Sequence, residues 1–264
     1  MAALAPSASI ARAANVFNSN ARSYRAAWRA TIVVSFISPL LFLLAVGVLL
    51  GELVDRGNAD LGGLTYLEFV APGLLAAMAM QVGVNEGSFP VMAGIRWART
   101  YHAVIATPAS VGELVTGVLG WIAARVAVAA VLFSAIAGAA GAFTSWLAVF
   151  APAAALLCGL AFGSLIACLA AALEDHAVMT AVFRFGILPL FLFSGTFFPL
   201  SRLPDWLEPV AWATPLWHGV ELCRDLAHGN VGAGSTAVHV AYLVVAFAIG
   251  AVLTVRFLSR RLLR

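Results

Sequence analysis

The chain is 264 residues long, 62% hydrophobic and 10% charged, and its formal charge of +3 rests entirely on arginine, because it contains no lysine. Soluble domains carry about 45–50% apolar and about 25% charged residues, so lipid must solvate much of this surface. Without lysine the chain cannot build the G-x-x-x-x-G-K-[ST] loop, whose Lys reaches the β- and γ-phosphates of ATP. Any ATP-driven step therefore belongs to another polypeptide.

The N-terminal segment, 1–31, lacks the apolar core of a cleaved signal. Phe17, Tyr24 and Trp28 recur at spacings of seven and four, beside Arg22, Arg25 and Arg29 at three and four. This pattern predicts either an amphipathic helix lying in the headgroup layer or a solvated basic arm. Six apolar spans follow, at about 32–50 (with Pro39 inside), 69–84, 111–138, 146–169, 181–198 and 238–257, each long enough to cross a bilayer. The chain reads as one all-α membrane domain over 1–264, with its six-helix body at 32–258 and a short tail at 259–264. With the N-terminus placed in the cytoplasm, Arg56, Arg202 and Arg224 face outward, Arg125 lies in a span, and the other arginines face inward. That asymmetry predicts both termini in the cytoplasm, close to anionic lipid, and excludes a nucleic-acid footprint.

Between the second and third spans the sequence breaks at Asn85-Glu86-Gly87-Ser88-Phe89-Pro90 and continues as a mixed segment, 92–108. There Trp97, Tyr101, Val104 and Ile105 stand at i, i+4, i+7 and i+8, one apolar helical face, ended by Thr107-Pro108. Such a helix either floats on the leaflet or docks into a partner's groove, with Trp97 and Tyr101 as aromatic anchors. In the third span, Arg125 falls roughly 20 Å from the cytoplasmic face at about 1.5 Å per residue. A charge there costs about 2.5–3.5 kcal/mol on insertion scales. It is either functional or a satisfied structural pair, and Glu113, three turns lower, points elsewhere and does not supply its counter-ion.

After the fifth span, Pro199, Pro204, Pro209 and Pro215 alternate with Trp206, Trp212 and Trp217. Interior proline costs about 3 kcal/mol in a helix, so 199–235 reads as two short helices dipping into the outer leaflet, either as part of an outer gate or as a fixed cap. Glu174-Asp175-His176 reads as a solvated inner turn. His218 and Glu221, near Cys223, make a poor metal site without a second histidine pair, and no metal is expected. There is no G-x-S-x-G, H-E-x-x-H or C-x-x-C, so no residue is a candidate for catalysis and no disulfide framework is implied.

The run Ile105-Ala106-Thr107-Pro108, followed by Gly112-Glu113-Leu114 and Gly117, resembles the "L-x-T-P-x-s-x-x-E-l-x-x-G" stretch of type-two permeases of ATP-binding-cassette (ABC) exporters. Phe193-Ser194-Gly195-Thr196-Phe197-Phe198-Pro199, then Leu203-Pro204, Trp206, Pro209, Pro215-Leu216, His218, Glu221 and Arg224, is similar to the segment after the fifth helix of that family. The likeness covers about residues 20–260 and is nearest to the branch of nodulation-factor and daunorubicin-type drug exporter permeases.

The resemblance implies six helices per protomer, an amphipathic N-terminal helix, and a cytoplasmic coupling helix at about 96–107 seated on a separate P-loop ATPase. It also implies outer re-entrant helices at about 203–226, and two permeases (a second copy or a similar chain) with two ATPases in the assembly. ATP and Mg would reside on the partner, with no cofactor on this chain, and the setting would be a bacterial inner membrane. The coupling contact would then involve Arg96, Trp97, Arg99, Tyr101, His102, Ile105, Thr107 and Pro108, with His102 departing from the acid of the nearest branch. The path or gate would involve Arg125, Phe193, Ser194, Gly195, Phe197, Phe198, Pro199 and Trp206, with apolar walls selecting an amphiphile by shape. Gly159 and Gly163 would serve close helix contact. Two competitors stand beside this reading. An ATP-independent carrier or channel would want more intramembrane charge or a repeat, and a membrane-bound enzyme or scaffold lacks catalytic groups.

Overall fold

A computed structural model describes residues 6–32, 41, 43–45, 63–202, 204 and 206–263. The expected first span, 32–50, lies outside the described residues except at Ile32, Leu41 and 43–45, as does most of the loop after it. The described residues form helices joined by short turns. They are α1 (Pro6–Ile32), α2 (Tyr66–Gly87), α3 (Phe89–Arg96), α4 (Thr100–Ile105), α5 (Val111–Ala139), α6 (Ala151–Ala172), α7 (His176–Val182), α8 (Leu188–Phe193), α9 (Glu208–Trp212), α10 (Pro215–His228) and α11 (Ala233–Leu262). Among the described residues, five elements are long and apolar enough to cross a membrane: Tyr66–Arg96, Val111–Ala139, Trp146–Ala172, His176–Phe193 and Ala233–Leu262. The protein is an all-α, multi-pass membrane protein. One end of the bundle gathers Arg12, Arg96, Glu113, Glu174 and Arg261; the other gathers the tryptophans at 206, 212 and 217.

Local chemistry sets the helix starts. Thr65 and Ser110 open α2 and α5 with reciprocal capping boxes, in which the hydroxyl accepts from the N–H of Glu68 or Glu113 and that carboxylate accepts from the cap N–H in return. Asp175 caps α7, accepting from the Ala177 N–H at 2.9 Å. This start and the turn at Ser194–Gly195, where Gly195 has φ +77°, place the fifth expected span at His176–Phe193 rather than 181–198. The break expected at 85–90 is a joint inside one element: α2 runs to Gly87 and α3 resumes at Phe89. Pro90 falls in the first turn of α3, where a missing N–H removes no helix bond.

Packing centres on α2, which is buried along its length between α5, α6 and α10. A Cβ at Gly83 would collide with the Gly159 carbonyl, and one at Gly87 with the Gly163 carbonyl. The small-residue pair expected at Gly159 and Gly163 therefore meets a second pair at the same spacing on α2, and the backbones touch. α11 lies on α6 in a similar way, the Thr254 hydroxyl donating toward the carbonyls of Gly250 and Ser164.

The N-terminal helix differs from the expectation of a helix lying among headgroups. α1 packs along the first half of α5 in parallel register. Arg12 pairs with Glu113 at 2.7 Å, Val16 sits against Gly117, and Tyr24 reaches Arg125. The rings of Phe17 and Tyr24 meet Trp121 edge-on at 5.6 and 5.5 Å. Phe17 and Tyr24 of the expected stripe thus face a protein helix.

Candidate functional site

Three clusters carry the residues singled out by the sequence, and the structure keeps them apart. The first is built around Arg125. Its Nε donates to Glu86 Oε1 at 2.9 Å, its Nη1 donates to the Tyr24 hydroxyl at 2.6 Å, and Trp121 Nε1 donates to Glu86 Oε2 at 3.0 Å. Arg125 is 8% exposed. The charge is thus paired and hydrogen-bonded, as a buried ion must be, and the cluster clasps α1, α2 and α5 together. Glu113 indeed points elsewhere, toward Arg12. The sequence hides this counter-ion because 85–90 reads as a break outside the span, whereas α2 runs on to Gly87 and carries Glu86 into the bundle.

The second cluster lies at the arginine end. The six-residue α4 is shorter than the expected 96–107 helix, and Trp97 lies outside it. Arg99 takes a left-handed conformation, φ +50°, and turns the chain sharply between α3 and α4. Tyr101 and Trp97 consequently do not share a face. Tyr101 is buried against Gly94, and burial pushes its phenol pKa up. Trp97 is half exposed and stacks on His176 with ring centroids 4.2 Å apart. Arg99, His102, Thr107 and Pro108 are exposed, Ile105 half-buried. Glu174 stands exposed in a solvated turn, as expected, where it accepts from Arg261 at 3.1 Å and lies 4.0 Å from Arg96.

The third cluster is the corner 193–199 with α9 and α10 at the tryptophan end. The two short helices expected from the prolines are present, and Thr214 caps α10 by accepting from the Trp217 N–H. Ser194 is buried, its hydroxyl donating to the Leu190 carbonyl at 2.6 Å, and Thr196 packs on Gly73 of α2. Phe193 and Trp206 are exposed, while Phe197, Phe198 and Pro199 are half-buried. Arg224 fixes this corner. Its Nη2 donates to the Gly195 carbonyl at 2.8 Å, Nη1 pairs with Glu221, and the guanidinium lies 4.1 Å over the Phe69 ring. Neighbouring Asp225 has its carboxyl pKa raised to about 6, by burial first and by Glu221 second, against the pull of Arg224.

His218 meets His239 of α11, Nδ1 to Nδ1 at 2.8 Å, with Tyr242 stacked on it at 3.9 Å. Burial, then His239, lowers the His218 pKa to about 4. Cys223 instead faces the Ala151 carbonyl. His239 carried no periodic signal in an apolar helix, so only the packed structure reveals the pair. Between Gly73 at the corner and Glu86 at the clasp, α2 climbs thirteen residues, about 20 Å. Arg125 and the 193–199 corner therefore lie at different depths of the bundle.

Long membrane helices closed at one end by a short surface helix, and at the other by two short helices over a glycine-tight bundle, define a multi-pass membrane protein. The comparison with known proteins specifies which kind. Residues 15–227 match the family model described as ABC-2 type transporter, and the chain belongs to that family. It is similar to Nodulation protein J of Rhizobium leguminosarum bv. trifolii, 30% identical over 250 residues that cover 94% of this chain and 93% of the relative. Nodulation protein J of Rhizobium meliloti (strain 1021) is 30% identical over 243 residues, covering 90% and 88%. That of Sinorhizobium fredii (strain NBRC 101917 / NGR234) is 30% identical over 249 residues, covering 94% and 93%.

Proposed function

We propose that this chain is the permease subunit of an ABC exporter, moving an amphiphilic or hydrophobic substrate (a drug, a lipid or a lipid-linked saccharide) outward across a bacterial inner membrane. The observation that carries the reading is the family match along 15–227, in a chain that has no lysine with which to bind ATP itself. A separate P-loop ATPase holds ATP and Mg and closes on binding ATP; α4 and the exposed Arg99, His102, Thr107 and Pro108 beside it are the surface it meets. Both termini lie in the cytoplasm, and a second permease completes the assembly. Substrate enters from the inner leaflet, and the Phe193–Trp206 corner forms the outer part of its path. The carrier alternative would rest on Arg125, which is engaged by Glu86 and Tyr24.

Co-purification of the tagged chain tests the proposal. A stoichiometric P-loop ATPase is expected, and replacing Arg99 and His102 together by Glu should release it. Tyr101→Ala is the wrong probe, because that ring is buried within this chain. Transport by a preparation free of any nucleotide hydrolase would overturn the reading.

A further inference from the structure

The junction at the arginine end is packed as one unit. The left-handed turn at Arg99 folds α4 back, and Tyr101 fills the notch left by Gly94, where a Cβ would stand 2.6 Å from its ring. α3, the turn and α4 are thereby locked together. The outer edge of this unit is Trp97, which lies flat on His176 with the ring planes 6° apart. His176 is the first residue of α7. Phe89 stacks on it from α3 at 5.8 Å, and Phe183 stacks on Phe89 at 5.9 Å. Phe183 opens the wide turn, Phe183–Ile187, that interrupts the span before α8.

The span those rings enter is the least embedded of the five. Only 11% of the residues in its most apolar stretch are buried, against 83% for Tyr66–Arg96. Within this chain little else holds the span, so a displacement applied at its end reaches its far end, the 193–199 corner. Aromatic faces in van der Waals contact resist compression steeply and attract by about 0.5–1.5 kcal/mol, so the stack passes on a push and a weaker pull. Arg261 holds the turn before α7, donating to the Ala171 and Leu173 carbonyls at 3.0 Å and to Glu174 at 3.1 Å.

The geometry points to the Trp97–His176 stack as the contact through which the α3–α4 unit drives the His176–Phe193 span and, with it, the corner at the tryptophan end. Trp97 and His176 are positioning residues in this role: they touch neither substrate nor nucleotide. The inference rests on the reading that α4 meets the ATPase.

The test uses the full permease–ATPase complex in nanodiscs, carrying Cys168→Ser and spin labels at Ala140→Cys and Arg202→Cys. The distance between labels is read without nucleotide and with ATP, Mg and vanadate. In the parent, nucleotide is expected to shift this distance. His176→Ala and Trp97→Ala should abolish the shift while leaving the nucleotide-free distance unchanged, and His176→Phe, which keeps a flat ring, should restore it. The ATPase should remain bound to His176→Ala and hydrolyse ATP within about twofold of the parent rate, roughly 0.4 kcal/mol in barrier. A shift that survives both alanine variants overturns the inference. So does an altered nucleotide-free distance in both, which would make the stack a fold support only, and so does a parent whose corner never responds. A parent that brings down no ATPase at all overturns the exporter reading itself.

Discussion

Two interrupted spans, Tyr66–Arg96 and His176–Phe193, have nearly the same mean hydropathy, 1.6 and 1.7, yet 83% of one stretch and 11% of the other are buried. Hydropathy reports that a segment prefers to leave water; it does not report whether protein or lipid receives it. What separates the two is side-chain size. The first presents Gly73, Gly83 and Gly87 to backbone on other elements, allowing dispersion contacts at the closest approach. The second presents large side chains, with Phe185 82%, Leu188 52% and Leu192 41% exposed. One is the keel of the bundle and the other hangs beside it.

The contrast can be broken most severely at Gly83. Gly83→Leu should abolish folded, monodisperse protein, because both colliding groups are backbone; overpacking usually costs about 1–3 kcal/mol even where side chains can shift. A normal elution profile for that variant would remove the glycine contact from the account. Next in size is the clasp on the same element. Arg125→Ala should lower thermal stability by about 3–5 kcal/mol, the usual result of stranding one member of a buried pair. Adding Glu86→Gln should recover part of the loss, and a double variant no better than the single would show that Glu86 is not the partner that matters. The smallest effect belongs to the other span: Phe185→Ala should stay within about 0.5 kcal/mol, as at a site without packing neighbours. A drop of several degrees in Tm would mean that this face is covered by another copy.

The long elements were legible because runs of apolar residues cannot be placed anywhere but in lipid, and the starts and stops of α5 and α6 fall close to where composition put them. The proline-tryptophan alternation located the helix pair α9 and α10 for an equally direct reason, since proline ends helices. What stayed hidden depends on single backbone angles and on partners far apart in sequence. One left-handed residue, Arg99, undoes the i, i+4 relation that put Trp97 and Tyr101 on a common face. Glu86 looked like part of a polar break, and only the continuity of α2 through it turns that carboxylate toward Arg125. Arg224 was visible as part of a family pattern, but its hold on the Gly195 carbonyl, 29 positions away, has no local signature.

The register between α1 and α5 has a consequence for how the chain is made. Arg12 and Tyr24 both bond to residues 101 positions later. At the usual synthesis rate of about 5–20 residues per second, each waits roughly 5–20 seconds for its mate to leave the ribosome. During that interval the leading segment has no docking face, so a nascent polypeptide arrested before Glu113 should present an unshielded basic strand to chaperones and proteases, and one arrested well past Arg125 should not.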